Sequence, residues 1–275
     1  MIRLTSMLCL IISIGANAQY YYKDITGPIQ TMEKAAKYKS QKIHSVNVVS
    51  YEFDGERTED FNGTQTISTD YSRVITSFKT PLSGESELTT NFDNKGRLVK
   101  SIDTADGSHS ESEYFYNGNG LLSKITNVST SAGNKIEKED HLWLYNSNGK
   151  PEKMIRVKNG VDTTYVTFVL DENGNVAEEN SVRRNVALPS FYYYYDDQSK
   201  LTDIVSYNVK AKRLLPLYIF EYNNSGQLAS MLVVPEGTDD YQKWIYEYND
   251  AGLKVKETCL NKKKQIVGRV EYEYR

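Results

Sequence analysis

The sequence predicts an all-β protein: repeated β-hairpins forming one curved antiparallel sheet, with a short N-terminal helix. Two observations carry this. A five-residue phrase recurs through the chain, an aromatic followed by Asp or Asn, two variable residues and Gly. The residues before each copy alternate, with aromatics two apart. Asp and Asn hydrogen-bond to nearby backbone and tolerate left-handed conformations, while Gly takes positive φ without steric cost, so each phrase reads as a turn. Alternation with period two, rich in Tyr, Phe and Trp, reads as a strand.

The first eighteen residues read as a secretory leader. Arg3 precedes the apolar run Met7–Ile14, and Ala16-Asn17-Ala18 supplies a small-x-small cleavage site. The run is too short for a membrane span of roughly 20 helical residues. Cleavage would leave Gln19 first and remove Cys9, so that Cys259 remains as a single cysteine and no internal disulfide can form. A lipoprotein reading needs a cysteine just after the apolar run, whereas Cys9 lies inside it. Losing Arg3 takes the net charge from −3 to −4. A mildly acidic chain with dispersed lysines argues against nucleic acid as a partner. No later segment is apolar enough for a transmembrane helix.

Gly27-Pro28 followed by Ile29, Met32 and Ala36 predicts a short amphipathic helix with Pro at its first position. From Lys42 to about Thr90 the alternation of strands returns, as in Val46–Phe53, with Phe53-Asp-Gly55 and Phe61-Asn-Gly63 as degenerate turns. Residues 19–90 therefore read as a helix with divergent strands, continuous in one domain with hairpin repeats over 91–275.

The repeats begin with Phe92-Asp-Asn-Lys-Gly96. Further copies start at Tyr116, Tyr145, Leu170, Tyr195, Tyr222 and Tyr248, with successive Gly positions (Ser199 in one copy) 24, 29, 25, 25, 27 and 26 residues apart. An eighth copy starts at Val270-Glu-Tyr-Glu-Tyr274 and is cut off by the C-terminus. After each turn an apolar column falls at Leu98, Leu122, Val176, Leu201 and Leu228, and another three residues later at Ile125, Met154, Ile204 and Met231. A spacing of three breaks period-two alternation, which predicts a bulge or a strand buried on both faces. Asp103–Ser110 and Pro235–Asp239 read as connecting loops.

Catalytic and metal chemistry find little footing. His44, His109 and His141 have no zinc-site spacing, no Gly-x-Ser-x-Gly motif occurs, and acidic turns such as Asp171-Glu-Asn-Gly174 lack the ligand spacing of a calcium loop. No catalytic residue, metal or cofactor is expected. His141 shares a column with Phe191 and Tyr218 and should point with the aromatic face, and Cys259 reads as a packed thiol. That face is the candidate site, through Trp143, Tyr193, Tyr195, Trp244 and Tyr246. Stacked rings also hold sheets together, at roughly 0.2–1 kcal/mol per cross-strand pair, and the N-terminal helix could cover part of the face.

With Tyr-Asp/Asn-x-x-Gly-x-Leu repeating over Asn91–Arg275, the chain resembles the YD-repeat family, the tyrosine-aspartate repeats of bacterial Rhs and related secreted proteins. The resemblance implies hairpins continuing one another as a long curved sheet, export, and in some members carbohydrate or cell-surface contact. About seven clear copies are too few for the closed shell of the large members, and the resemblance implies no activity. The expected function is an exported, non-enzymatic scaffold in the periplasm or outside the cell, binding glycan or a cell-surface protein through the aromatic face. Two alternatives stand beside it: a structural protein that self-associates edge to edge, because the chain stops within a repeat and would leave a strand edge open, and a hydrolase whose site is not visible in the sequence.

Overall fold

The computed structural model describes residues 20–80, 84–105, 107–131, 135–208, 211–234 and 240–275. The leader over residues 1–18 and the loop expected at Pro235–Asp239 lie outside the described residues. Among the described residues one helix, α1 (Lys23–Ser40), precedes nineteen strands. Four occupy the divergent region: β1 (Ser45–Glu52), β2 (Asn62–Ile67), β3 (Arg73–Thr80) and β4 (Gly84–Phe92). Then follow β5 (Leu98–Ala105), β6 (Ser108–Tyr116), β7 (Leu122–Thr130), β8 (Ile136–Tyr145), β9 (Pro151–Lys158), β10 (Asp162–Leu170) and β11 (Val176–Arg183). A two-residue β12 (Val186–Ala187) leads to β13 (Phe191–Tyr195), β14 (Leu201–Asn208), β15 (Arg213–Tyr222), β16 (Leu228–Val233), β17 (Gln242–Tyr248), β18 (Lys254–Asn261) and β19 (Ile266–Tyr274). The expected loop at Asp103–Ser110 is mostly strand, since β5 runs on to Ala105 and β6 begins at Ser108.

The recurring phrase is a turn with one fixed wiring. The Asp or Asn side-chain oxygen accepts the backbone N–H groups two and four residues on: Lys95 and Arg97 to Asp93, Asn148 and Lys150 to Asn146, Ser225 and Gln227 to Asn223. The acidic turn at Asp171 spends its Oδ1 in the same way, on Asn173 and Asn175. The Gly position needs positive φ, which Ser199 adopts at 58° in the Tyr195 copy. Sequence reading missed one turn. Asn261–Gln265 has the same wiring, with Lys264 at φ 60° where Gly is usual. An L-residue there costs roughly 1–2 kcal/mol, so Lys264→Gly is expected to raise stability by about 0.5–1 kcal/mol in urea denaturation. Of the two degenerate turns, Glu52–Glu56 around Gly55 is one, whereas Gly63 lies inside β2.

The three-residue spacing is a bulge. Phe92 pairs with Leu98 and Asn91 with Lys100, leaving Val99 as the extra residue, and the same shift occurs before Tyr116, Tyr145, Leu170, Tyr222 and Tyr248. The extra residue returns Ile125 and Met154 to the face of the first apolar column, where both are buried. Tyrosine then links successive hairpins. The hydroxyls of Tyr116, Tyr145, Tyr222 and Tyr248 donate to the carbonyls of Leu98, Leu122, Leu201 and Leu228 at 2.7–2.9 Å. Phenylalanine would fill the same space without this bond, each worth about 0.5–1.5 kcal/mol.

The sheet is not open. Antiparallel pairing runs from strand to strand, and β1 pairs with both β2 and β19, so neither the first nor the last strand is left as a free edge, with β12 and β13 both paired to β11. Arg275 completes the closure: its N–H donates to Ser45 O at 2.9 Å and its carbonyl accepts from His44 and Ser45. Expecting a free C-terminal edge was therefore wrong, and edge-to-edge self-association loses its premise. The bulges curve the sheet, and a curved sheet can satisfy its last edge with its first.

Two compact units divide the chain. One comprises Val48–Phe61 and Tyr192–Glu273. Its core includes Tyr193, Ile204, Leu253, Cys259 and Val270, with the Arg269 guanidinium 4.3 Å from the Tyr51 ring centroid. The other comprises Tyr20–Asn47, Asn62–Phe191 and Tyr274–Arg275, and in it α1 lies over one face of the sheet. At the C-terminal end of α1 the buried Tyr38 donates to Gln65 Oε1 at 2.6 Å, and its ring lies 6.1 Å from that of Tyr274.

The helix differs from expectation in three ways. It spans 18 residues, it starts before Pro28, and Ile29 is exposed while Asp24, Pro28, Thr31, Ala35 and Tyr38 form the more covered stripe. Pro28 offers no N–H to the Asp24 carbonyl, so sequence alone favours a start at Pro28. The start is held from outside the helix, by the Glu179 carboxyl of β11.

Candidate functional site

Two of the five candidate rings are buried. Trp143 and Tyr193 are only 4% and 3% exposed, and Trp143 stacks on Phe168 with centroids 5.1 Å apart and planes 15° apart. Protein therefore occupies the surfaces of both rings. Tyr195, Trp244 and Tyr246 are half-buried, and Lys254 Nζ lies 5.1 Å from the Tyr246 centroid. Burial pushes the Tyr246 phenol well above its ordinary range, with Glu257 adding to the effect.

Beside Trp143 a buried polar clamp holds the N-terminus of α1. Tyr21 N–H donates to both oxygens of Glu179 at 2.9 Å, and Tyr22 N–H to one of them at 3.0 Å. Glu179 lies on β11 and is 0% exposed. It caps a helix start that has no capping side chain of its own, and it places a carboxyl where the helix dipole favours one. Asp24, in the first turn, contacts His141 Nδ1 at 2.5 Å, and His141 Nε2 contacts Glu139 at 2.7 Å. Arg156 adds a 2.5 Å bond to Glu139.

Burial alone would lower the His141 pKa, but Asp24 and Glu139 outweigh it and hold it up at about 9. Burial would raise that of Glu139, yet His141 and Arg156 keep it at about 2. Lys23 is shifted down by burial. With both ring nitrogens facing carboxylates, His141 carries two protons and has no lone pair for a metal. The cluster is therefore a fastening rather than a metal centre.

Sequence reading placed His141 on the correct face and missed its partners. Two signals were present. Glu139 and His141 are two apart on β8 and so share a face, and Glu179 occupies the position of Ile125 and Met154 in its repeat, a charge in an apolar column.

The opposite face of β6–β11 carries an exposed apolar row. Phe115, Lys124, Leu142, Ile155, Tyr165 and Val182 are successive register partners. Phe115, Leu142, Tyr165 and Val182 are exposed, Tyr165 at 59%. Cross-strand ion pairs flank the row on the same face: Lys124 with Asp140 at 3.0 Å and Lys100 with Glu111 at 2.6 Å. The row ends in a depression of about 240 Å³ lined by Val161, Asp162, Thr163, Tyr165, Val182, Arg184 and Asn185.

No protein-family model matches the chain, and no curated protein matches it. Among solved structures the chain is similar to a porin-like protein from Bacteroides uniformis, at 10% identity and TM-score 0.40, covering 85% of this chain and 98% of that one. It is also similar to the Photorhabdus luminescens Tc holotoxin pore, at 14% identity and TM-score 0.36, covering 78% of this chain and 12% of that one. A TcdB2-TccC3-Cdc42 structure matches at 13% identity and TM-score 0.36, again over 12% of its chain. The chain thus spans about an eighth of these toxin components, and at such scores no shared function follows.

Proposed function

We propose that this protein is an exported, non-enzymatic β-scaffold that binds glycan at the cell surface or in the periplasm, through the face of β6–β11 turned away from α1. The observation that carries this reading is the exposed row Phe115, Leu142, Tyr165 and Val182, which ends in a depression lined by hydroxyl-, amide-, carboxylate- and guanidinium-bearing residues. Exposed tyrosine beside polar groups suits sugars, whose rings offer an apolar C–H face and a hydroxyl edge. Trp143 and Tyr193 of the aromatic column are packed against protein, so the proposed surface lies on the other face of the sheet. Export rests on the leader-like start of the sequence. No helix among the described residues is long and apolar enough to cross a membrane. The ion pairs on the outer face favour water there over lipid, where a lysine at mid-bilayer costs roughly 2–4 kcal/mol.

Tyr165→Ala is expected to weaken binding of the best ligand in a polysaccharide panel at least tenfold, while the melting temperature stays within about 2 °C because the side chain is exposed. Unchanged affinity in that variant would sink the reading.

A further inference from the structure

Resting on that reading, we infer that the depression at the end of β10 and β11 is a subsite for an acidic sugar, a ring bearing a carboxylate. The ring would lie on Tyr165 between Val161 and Val182, with its carboxylate at Arg184 and its hydroxyls at Asn185 and Thr163. Four observations support this.

Charge is the first. Arg183 Nε donates to Asp162 Oδ1 at 3.0 Å and Arg183 Nη2 to Asp162 Oδ2, and these bonds hold the Asp162 carboxyl below its ordinary pKa. That pair is neutral overall. Arg184 is the remaining cation, its side chain 77% exposed and 3.4 Å from Asp162 Oδ1. Two arginines thus share one carboxylate, so the three groups together carry a net single positive charge, and the more exposed Arg184 offers it on a planar donor suited to a carboxylate.

Backbone conformation is the second. The β9–β10 hairpin turns through Asn159 and Gly160, at φ 52° and 72°, the residues such turns favour. The next turn, at the same end of the sheet, uses Arg184 and Asn185 at φ 50° and 61°. An arginine in this conformation costs roughly 1–2 kcal/mol. Strain of this kind concentrates at functional positions, and here it presents the guanidinium at the rim of the depression.

Shape is the third. Tyr165 and Val182 are direct register partners, so their exposed side chains form one continuous apolar floor. Thr163 lies two residues along the same strand face, and the amide of Asn185 follows Arg184. Size is the fourth. About 240 Å³ falls below the roughly 300–1,000 Å³ of sites for drug-sized ligands, which suits one ring of a longer chain. An acidic side chain of a peptide would engage Arg184 but leave the Tyr165 floor uncovered.

The test is calorimetric titration of the exported chain with three probes: an oligogalacturonide, the same oligosaccharide with its carboxyls reduced to alcohols, and an Asp/Glu-rich peptide. The acidic sugar should bind roughly tenfold or more tightly than its reduced counterpart, an advantage that falls with added salt. Arg184→Gln should abolish the difference while keeping the weaker neutral binding, and Tyr165→Ala should lose both. Equal binding of the two sugars by the wild type would overturn the acidic-sugar inference and leave the glycan reading intact. Peptide binding as tight as the acidic sugar would overturn the choice of ligand. If neither sugar binds, both readings fail.

Discussion

Glu179→Ala is expected to release the N-terminus of α1 and to lower the unfolding free energy by about 3–5 kcal/mol. The fully buried carboxyl accepts three hydrogen bonds from Tyr21 and Tyr22, and alanine would remove the acceptor of the buried Tyr21 N–H and of the part-buried Tyr22 N–H and leave a cavity. Each hydrogen bond to a charged group contributes about 1.5–3 kcal/mol, and bonds sharing one group do not add fully. Urea denaturation would give the loss, and amide exchange would locate it: protection should fall first in Tyr21–Gly27. Glu179→Gln, which keeps one carbonyl acceptor, should lie between. A loss spread evenly over the sheet, with α1 still protected, would refute the capping role.

The second large effect is on pH. His141 has an ordinary pKa of 6.5 and is held at about 9 in the fold. Because the folded value is raised, its contribution is complete below pH 6.5 and is lost as pH rises through 9. A difference of that size corresponds to something on the order of 3 kcal/mol. Lys23 acts in the opposite direction at alkaline pH, because burial lowers its pKa and its deprotonation relieves the fold. At the acid end Glu139, held at about 2, loses its contribution as pH falls from 4.5. The groups facing His141 are Asp24 on α1, Glu139 on its own strand, its register partner Arg156 on β9, which bonds Glu139, and the Tyr21 ring 5.5 Å away edge-on.

Comparing the wild type with His141→Gln at pH 6 and pH 9 cancels the Lys23 contribution. The variant should be less stable at pH 6, and the gap should narrow by pH 9. A gap independent of pH would show that the imidazolium charge is not what fastens α1.

What the sequence disclosed and what it hid divide along one line, the distance over which a feature is built. Turns are made within five residues, so Asp93–Arg97 and its copies were visible, and so was the bulge that sets Ile125 and Met154 on the face of the first column. The Asn261 turn escaped because lysine stands where glycine is usual, although the side-chain wiring is identical. The start of α1 escaped because its cap, Glu179, is more than 150 residues away. Closure escaped for the same reason: nothing near Ser45 announces that Arg275 will pair with it. For the site, tyrosines two apart signalled a ring column correctly, but period two cannot tell which face of a sheet will be covered. Tyr165 was overlooked because its strand ends in the Leu170 copy, where leucine stands in place of the aromatic.

The seam between β1 and β19 also orders events in time. Each repeat hairpin closes a loop of a few residues and can form on the microsecond scale. The contact of Ser45 with Arg275 spans the whole series of hairpins and that of Tyr21 with Glu179 spans the strands up to β11, and non-local pairing of this kind slows folding. Until the seam forms, β1 and β19 each present an unpaired edge. The interval before closure is thus a period in which unpaired edges expose the chain to aggregation.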